Sequence, residues 1–249
     1  MDDNQGRGFR PLREPVNGGT VRVDAGDAEL PGDLAGPNGA GGVVLFAHGS
    51  GSSRHSPRNR AVAAGLNRAG LGTLLLDLLT DEEERVDAQT GALRFDIGLL
   101  ARRLTAAIDW LDATQPAGFP LGLFGASTGA AGALAAAAAR PERVSAVVSR
   151  GGRPDLAGPA LGQVGLPVLL VVGGRDPEVA ELNQAAARQL GGPSEIRTVP
   201  GATHLFEEPG ALDQVTELAA DWFRQYLSPG QRLDQGSWVA GLGANTEHR

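Results

Sequence analysis

The chain has 249 residues, of which 41% are hydrophobic and 4% aromatic, and this composition is typical of one globular domain. The net charge of −7 and the pI of about 5.1 argue against a nucleic-acid partner, which needs a basic surface. The sequence contains no Cys and no Lys, so disulfides, thiolate metal sites, Cys nucleophiles, Schiff bases and Ser–Lys dyads are all excluded.

The two ends of the chain differ from its middle. The N-terminus is polar and lacks the apolar core of a signal peptide, and the longest Ala-rich stretch, Gly129 to Ala139, is too short to span a bilayer. We therefore expect a soluble, cytoplasmic protein with no membrane partner. Residues 1–18 and 228–249 show no helical or strand period of apolar residues. This predicts a flexible N-terminal arm and a C-terminal tail that flank one domain over residues 19–227.

Strand and helix patterns alternate through this domain. Strands are predicted at Thr20–Val23, Val43–Ala47, Leu74–Leu76, Leu121–Phe124, Ala146–Val148, Val168–Val172 and Glu195–Val199. Helices are predicted from Ser56 to about Arg68 and over Ile97–Leu111, Ala130–Arg140, Val179–Leu190 and Leu212–Tyr226. This alternation is typical of a mostly parallel sheet with helices on both faces, whose ligands bind beyond the carboxyl ends of the strands.

A Gly-x-Ser-x-Gly motif follows the predicted strand Leu121–Phe124 and precedes a helix. It reads Gly125-Ala126-Ser127-Thr128-Gly129, and about 0.2 such matches are expected by chance in a chain this rich in Gly. A sharp strand-to-helix turn of this kind exposes the serine oxygen, so Ser127 is the candidate nucleophile. The alternative is a Gly-rich turn with an incidental serine.

Two further candidates follow later strands. Asp176 lies in Gly173-Gly174-Arg175-Asp176-Pro177, where an Asp before a first-turn Pro is by itself equally typical of a helix N-cap. His204 lies in a loop after the last predicted strand, where a lone His is commonly a surface residue. Ser127, Asp176 and His204 nevertheless follow three different strands on one sheet edge, which predicts a nucleophile, an acid and a base.

A Gly-rich loop, His48-Gly49-Ser50-Gly51, follows the strand Val43–Ala47. Acyl transfer places negative charge on the carbonyl oxygen, and backbone N–H groups stabilise it. We predict that the N–H groups of Ser50 and Thr128 form this oxyanion hole. The His48 side chain is interpreted as structural.

These four segments together resemble the α/β-hydrolase superfamily, and the short layout without a cap is similar to its dienelactone hydrolase-like branch. The resemblance covers roughly residues 20–227. It implies an eight-stranded, mostly parallel sheet and cofactor-free hydrolysis of esters or lactones. Dienelactone hydrolases use a Cys nucleophile, whereas this chain has Ser127. Similar domains also occur beside phosphoribosyltransferase domains, and we see no such segment in these 249 residues.

Arginines cluster after two of the strands. Arg54, Arg58 and Arg60 follow the Gly-rich loop, while Arg150 and Arg153 follow the strand Ala146–Val148. Arg binds carboxylate and phosphate, so Arg54, Arg150 and Arg153 are candidate ligands of an anionic group on the substrate. The alternative is a solvated surface, or ion pairs with Asp155 and the acidic run Asp81–Glu84.

Acidic residues near the predicted site suggest two further roles. Asp77, at the end of a strand, is either an active-site carboxylate or a residue that fixes the following loop. That loop, Thr80 to about Gly91, is predicted to fold over the site. No metal site is predicted, because the four His residues lack a ligand spacing.

The predicted activity is hydrolysis of a small ester or lactone through an acyl-enzyme, with Ser127 attacking and His204 accepting its proton. Activity should fall below about pH 6–7, where a His base becomes protonated. An acyltransferase, thioesterase or peptidase could use the same triad, and a non-catalytic ligand-binding module could retain the fold. The sequence gives no information about the oligomeric state.

Overall fold

Eight strands form one sheet in the computed structural model, which describes residues 18–227. In chain order they are β1 (Gly19–Asp24), β2 (Glu29–Ala35), β3 (Val43–Ala47), β4 (Gly72–Leu76), β5 (Leu121–Ala126), β6 (Val144–Arg150), β7 (Val168–Gly173) and β8 (Ser194–Val199). Their spatial order is β1-β2-β4-β3-β5-β6-β7-β8. β2 is antiparallel to both neighbours, and β3 to β8 are parallel, so the predicted α/β-hydrolase sheet is confirmed.

β2 is the one strand that the apolar runs did not reveal. Its sequence, Glu-Leu-Pro-Gly-Asp-Leu-Ala, places Pro31 and Gly32 at its centre, and both residues are depleted in strands. Leu30 and Leu34 are nevertheless buried on the core side, and the strand forms a hairpin with β1. The pairing with two neighbouring strands therefore outweighs the low strand propensity.

The described chain contains six α-helices, of which five pack on the sheet. They are α1 (Pro57–Arg68), α2 (Asp81–Thr90), α3 (Ile97–Thr114), α4 (Thr128–Ala139), α5 (Pro177–Ala187) and α6 (Ala211–Leu227). α1 and α6 bury Val62, Leu66, Val215 and Phe223 against one face, while α3, α4 and α5 pack against the other. The five helices predicted from the sequence are all present, and the predicted cover of both sheet faces is confirmed.

The predicted acidic loop from Thr80 to Gly91 is wrong, because this segment forms helix α2. The Thr80 hydroxyl accepts a hydrogen bond from the Glu83 N–H, and the Glu83 carboxylate accepts one from the Thr80 N–H. This reciprocal capping box starts the helix, and the four acidic residues in its first turn interact favourably with the positive end of the helix dipole. The helix has almost no apolar stripe, so a search for apolar periods misses it; the spacing Thr80-x-x-Glu83 was the available signal.

Glu83 also anchors α2 to the body of the domain. Its two carboxylate oxygens accept from Arg103 Nη1 and Nη2 at 2.5 and 2.6 Å, and the Arg103 side chain is 1% exposed. Arg103 Nη1 donates in addition to the Leu78 carbonyl. The hydrogen bond from Arg103 is the largest of the effects that lower the pKa of Glu83 to about 2.

Replacing Glu83 with Gln is expected to reduce the free energy of unfolding by about 2 kcal/mol at pH 7, because Arg103 loses the closer of its two carboxylate partners, Glu83 and Asp27. The pKa of Glu83 is depressed in the folded state, so the stabilisation is present above its unfolded pKa and is lost as the pH falls towards 2. Urea unfolding of both proteins at pH 7 and pH 3 checks this. An equal difference at both pH values would contradict the assigned ion pair.

The carboxyl ends of the parallel strands and the segments that directly follow them carry every residue of the predicted site. Between β6 and β7 the described chain contains only a 3₁₀ segment, Pro154–Gln163, with no inserted cap domain. The predicted arm and tail, apart from Gly18, lie outside the described residues. Within residues 18–227 no helix is both long and apolar enough to cross a membrane.

Candidate active site

Ser127 lies at the sharp turn between β5 and α4. Its backbone has φ 50° and ψ −122°, a conformation that is rare for a residue with a side chain. Strain of this kind costs about 1–3 kcal/mol and persists where the surrounding structure enforces it. The turn directs the chain from the strand straight into the helix, as the mechanics of the Gly-x-Ser-x-Gly motif require.

The two glycines of the motif allow close approach between backbones. A Cβ atom at Gly125 would lie 2.4 Å from Ala130 Cα, and one at Gly129 would lie 2.4 Å from the carbonyl oxygens of Ala47 and His48. Both positions therefore exclude any larger residue. The close contact at Gly129 brings the start of α4 against the end of β3, where the Gly-rich loop begins.

The loop after β6 braces the turn from the other side. The Ser127 N–H donates to the Arg150 carbonyl at 3.3 Å, and the Arg153 N–H donates to the Ser127 carbonyl at 3.0 Å. Asn183, which is fully buried on α5, donates to the Gly152 carbonyl at 2.9 Å and holds that loop in place. The turn that carries the nucleophile is thus held by backbone contacts with the end of β3 on one side and the end of β6 on the other.

Asp176 and His204 form a direct pair. The imidazole Nδ1 lies 2.8 Å from Asp176 Oδ2. A carboxylate accepts the proton of Nδ1, and in the neutral ring this arrangement leaves the lone pair on Nε2. Asp176 occupies the N-cap position of α5, yet its side chain makes no capping hydrogen bond. The alternative role as a helix cap is therefore not the one this carboxylate adopts.

Glu208, which the sequence did not indicate, holds the loop that carries His204. Its carboxylate accepts from the Thr203 N–H at 3.1 Å. The hydrogen bond with the Thr203 side chain is the largest of the effects that lower the pKa of Glu208, and the Thr203 N–H adds to it. The residue lies four positions after His204 and next to Glu207, so the sequence does not show which of the two carboxylates holds the loop.

Ser127 and His204 line one cavity of about 240 Å³, which we name the serine cavity. Its walls also include Ser50, Asn59, Arg150 and Leu205. Within residues 18–227 no hydrogen bond joins the Ser127 hydroxyl to the imidazole, so nucleophile and base face the same space without direct contact. Such hydrogen bonds are commonly long in unliganded enzymes and shorten when substrate binds.

The two N–H groups predicted to form the oxyanion hole have no hydrogen-bond acceptor within residues 18–227. Among the described residues, neither the Ser50 N–H nor the Thr128 N–H donates a hydrogen bond to another group. The side chains of the same two residues bond each other, Oγ to Oγ1, at 3.0 Å. This contact ties the Gly-rich loop to the first turn of α4 and keeps the two N–H groups near each other.

His48 fixes the Gly-rich loop. Its Nε2 accepts from the Leu78 N–H and its Nδ1 donates to the Gly49 carbonyl, both at 3.0 Å. Burial lowers the pKa of His48, which keeps the ring neutral. Both ring nitrogens are thereby engaged with backbone, which fits the structural role interpreted from the sequence.

Two of the three predicted substrate-binding arginines do not reach the serine cavity. Arg54 is paired with Asp77 through its N–H and its guanidinium, and lies 3.8 Å from Asp33. Arg153 forms a two-point pair with Asp155 at 2.9 and 2.8 Å. Each guanidinium is held by a carboxylate, which favours the alternative that these arginines form ion pairs. Asp77 accepts from the Arg54 N–H and so fixes the loop after β3, whereas the sequence predicted that it fixes the loop that follows Asp77.

Arg150 alone of the three lines the serine cavity. A second cavity of about 290 Å³ lies across the Gly-rich loop and is bordered by α2, with Glu84, Asp87 and Arg94 in its wall. In the part of the chain that the structure describes, no group of three His, Asp or Glu side chains is arranged to hold a metal ion.

Comparison with known proteins matches residues 30–228 to the dienelactone hydrolase family. A dienelactone hydrolase from Anabaena variabilis is 57% identical, covers 84% of this chain and 98% of its own, and superposes with a TM-score of 0.82. The protein Est1E of Butyrivibrio proteoclasticus, in a structure with bound ferulic acid, is 18% identical with a TM-score of 0.70 over 83% of this chain and 99% of its own, and so shows the shared fold.

A Mycobacterium tuberculosis protein named "Putative phosphoribosyl transferase" is 57% identical over 219 residues. That match covers 87% of this chain and 48% of the relative, so the chain spans about half the length of that protein. The family match, by contrast, runs through β2 to α6 and includes every element that carries the site. The chain belongs to the dienelactone hydrolase family.

Proposed function

We propose that this protein is a serine hydrolase that cleaves small carboxylic esters or lactones. The observation that carries the proposal is the Asp176–His204 hydrogen bond of 2.8 Å at the cavity that also exposes Ser127 on its strained turn. An acid that orients an imidazole beside a nucleophilic hydroxyl is the arrangement that activates serine for acyl transfer.

Each step of the reaction uses a group that lines the cavity. Ser127 Oγ forms a bond to the carbonyl carbon of the substrate while His204 Nε2 takes the hydroxyl proton. The bond to the leaving oxygen then breaks, and His204 returns the proton to that oxygen. Water repeats the sequence on the acyl-enzyme, which releases the acid and restores the serine.

The Ser50 and Thr128 N–H groups are the proposed oxyanion hole. They are free of protein partners in the described chain, which fits donors that wait for a developing negative charge. A donor that is already fixed in place costs no reorganisation in the transition state, and losing one typically lowers the rate about 10²- to 10³-fold.

The cavity favours small substrates. Its volume of about 240 Å³ is below the usual range of ligand pockets, which begins at about 300 Å³, and no cap domain covers it among the described residues. The Anabaena relative is named a dienelactone hydrolase, and the Butyrivibrio structure holds ferulic acid. Both names favour ester or lactone chemistry over the transfer named for the Mycobacterium relative, because this chain matches only part of that protein.

A panel of p-nitrophenyl esters, lactones and thioesters tests the proposal. We expect short-chain p-nitrophenyl esters to be hydrolysed with a burst of p-nitrophenol, because an acyl-enzyme accumulates when its hydrolysis is the slower step. A lactone should be opened without such a burst, because its leaving oxygen stays attached to the acyl group. Mass spectrometry of the quenched reaction should show the added acyl group on the protein. Turnover of thioesters alone, or of no member of the panel, would contradict the assignment.

A further inference from the structure

The second cavity borders both residues of the proposed oxyanion hole. It has a volume of about 290 Å³, which makes it larger than the serine cavity, and Ser50 and Thr128 both lie in its wall. Gly49, Ser50 and Ser52 line the two cavities alike, so the Gly-rich loop is the wall that the cavities share. A substrate held at the oxyanion hole thus has space on either side of that loop.

The proposed reaction decides which half of an ester lies in which cavity. The leaving oxygen receives a proton from His204, which lines the serine cavity and is not in the wall of the second one. The leaving group therefore lies in the serine cavity, on the same side as Ser127. The carbonyl oxygen points to the Ser50 and Thr128 N–H groups, which leaves the acyl group to extend past them towards the second cavity.

The wall of the second cavity combines apolar and polar side chains. Leu79, Ala88 and Leu100 supply apolar surface, and the Gly-rich loop supplies the serines at positions 50, 52 and 53. Ligand pockets commonly join an apolar wall to a few polar groups that fix the orientation of the ligand. This wall therefore fits an acyl group that is mainly apolar and carries one polar substituent.

Asp87 and Arg94 pair with each other in this wall. Asp87, which is 3% exposed, accepts from the Leu93 and Arg94 backbone N–H groups and from Arg94 Nε at 2.6 Å. Arg94 Nη2 donates to the Asp87 carbonyl, whereas its Nη1 makes no hydrogen bond within residues 18–227. A Cβ atom added to Gly51 would lie 3.6 Å from that Nη1, so this unused donor faces the Gly-rich loop.

Glu84 is the acidic side chain of the wall that has no partner. It lies three positions before Asp87 on the same side of α2 and is half-buried. Its carboxylate makes no hydrogen bond or ion pair within the described chain. Burial, followed by the charges of Asp77 and Asp81, raises the pKa of Glu84. The second cavity thus contains an acceptor that the protein leaves unused.

We propose that the second cavity binds the acyl group of the substrate and that Glu84 accepts a hydrogen bond from a hydroxyl group on it. The proposal rests on the hydrolase function above and narrows its substrates to esters or lactones with a hydroxylated acyl group. A hydroxyl can donate to Glu84 and also accept from Arg94 Nη1, whereas a carboxylate only accepts and an ammonium only donates. Glu84 and Asp87 disfavour the first of these ions, and Arg94 disfavours the second.

Two esters that differ in one hydroxyl group test this directly. p-Nitrophenyl 4-hydroxyphenylacetate and p-nitrophenyl phenylacetate have the same leaving group and the same ring. Wild type should prefer the hydroxylated ester by about tenfold in kcat/KM, as expected from one hydrogen bond to a charged group. Glu84→Met, which keeps the length of the side chain and removes the acceptor, should bring the ratio of the two values to about 1. Glu84→Gln, which keeps a carbonyl acceptor, should restore part of the preference.

Glu82→Met is the matched control, since Glu82 is an exposed residue of the same helix and pairs with Arg85. It should keep the wild-type ratio. Thermal melting of each variant identifies any that does not fold. A wild-type ratio near 1, or an unchanged ratio in folded Glu84→Met, would overturn the proposal.

A binding measurement separates this proposal from the hydrolase function. 4-Hydroxyphenylacetamide and phenylacetamide, which have no ester bond, are titrated calorimetrically into Ser127→Ala and into the double variant with Glu84→Met. Tighter binding of the hydroxylated amide that the double variant loses supports the subsite even if neither ester is hydrolysed. Equal binding of the two amides to Ser127→Ala, or no binding of either, overturns it.

Discussion

Ser127→Ala is expected to lower kcat/KM for a neutral p-nitrophenyl ester by about 10⁴- to 10⁶-fold, the largest effect of any substitution in this chain. The change removes only the hydroxyl, which makes no hydrogen bond within the described residues, and it retains the Cβ that the strained turn already accommodates. The fold should therefore persist. Initial rates and thermal melting of the same preparation check both parts.

Ser194→Ala is the matched control for that variant. Ser194 begins β8 and lies at the amino end of the sheet, opposite the edge that carries the site. Its replacement should leave the rate unchanged. If Ser127→Ala kept more than about a tenth of the wild-type rate while folded, a different nucleophile would have to be sought.

Asp176→Asn is expected to lower kcat by about 10³- to 10⁴-fold. An amide at this position can donate to Nδ1, which favours the tautomer whose proton is on Nε2, and that tautomer cannot accept the proton of Ser127. Stability should change little, because the Asp176 side chain does not cap α5. Steady-state kinetics with a neutral ester measure the effect.

The control for this charge is Asp109→Asn, which breaks a partly exposed pair with Arg140 on the far side of α3 and α4. We expect wild-type kinetics from it. A drop of less than about tenfold in folded Asp176→Asn would mean that the hydrogen bond to His204 is not what orients the base.

Much of the fold followed from apolar runs and helix signals. Ser56 caps α1 through the Asn59 N–H and Pro57 begins the helix, as the dipeptide predicted. Parallel strands buried on both faces have no polar side, so their runs stand out in the sequence. The sequence patterns missed β2 because Pro31 and Gly32 interrupt its apolar alternation. They missed α2 because that segment is nearly all polar and is held by its N-cap and by Arg103.

The candidate site, like the fold, was predictable from the sequence only in part. Ser127, Asp176 and His204 could be proposed together because each follows a different parallel strand, and the sheet brings those strand ends to one edge. The arginines could not be sorted in this way. Arg54 meets Asp77 across 23 positions of sequence, and only the folded chain shows that this pair forms while Arg150 is left without a carboxylate.

Labelling with a fluorophosphonate tests the triad most directly, because the probe reacts only with a serine that a base has activated. We expect one phosphonyl group per chain, located on Ser127 by mass spectrometry of the digested protein, and a large loss of labelling in His204→Ala. An unlabelled protein, or a label on another serine such as Ser50 or Ser52, would contradict the assignment of Ser127 as nucleophile.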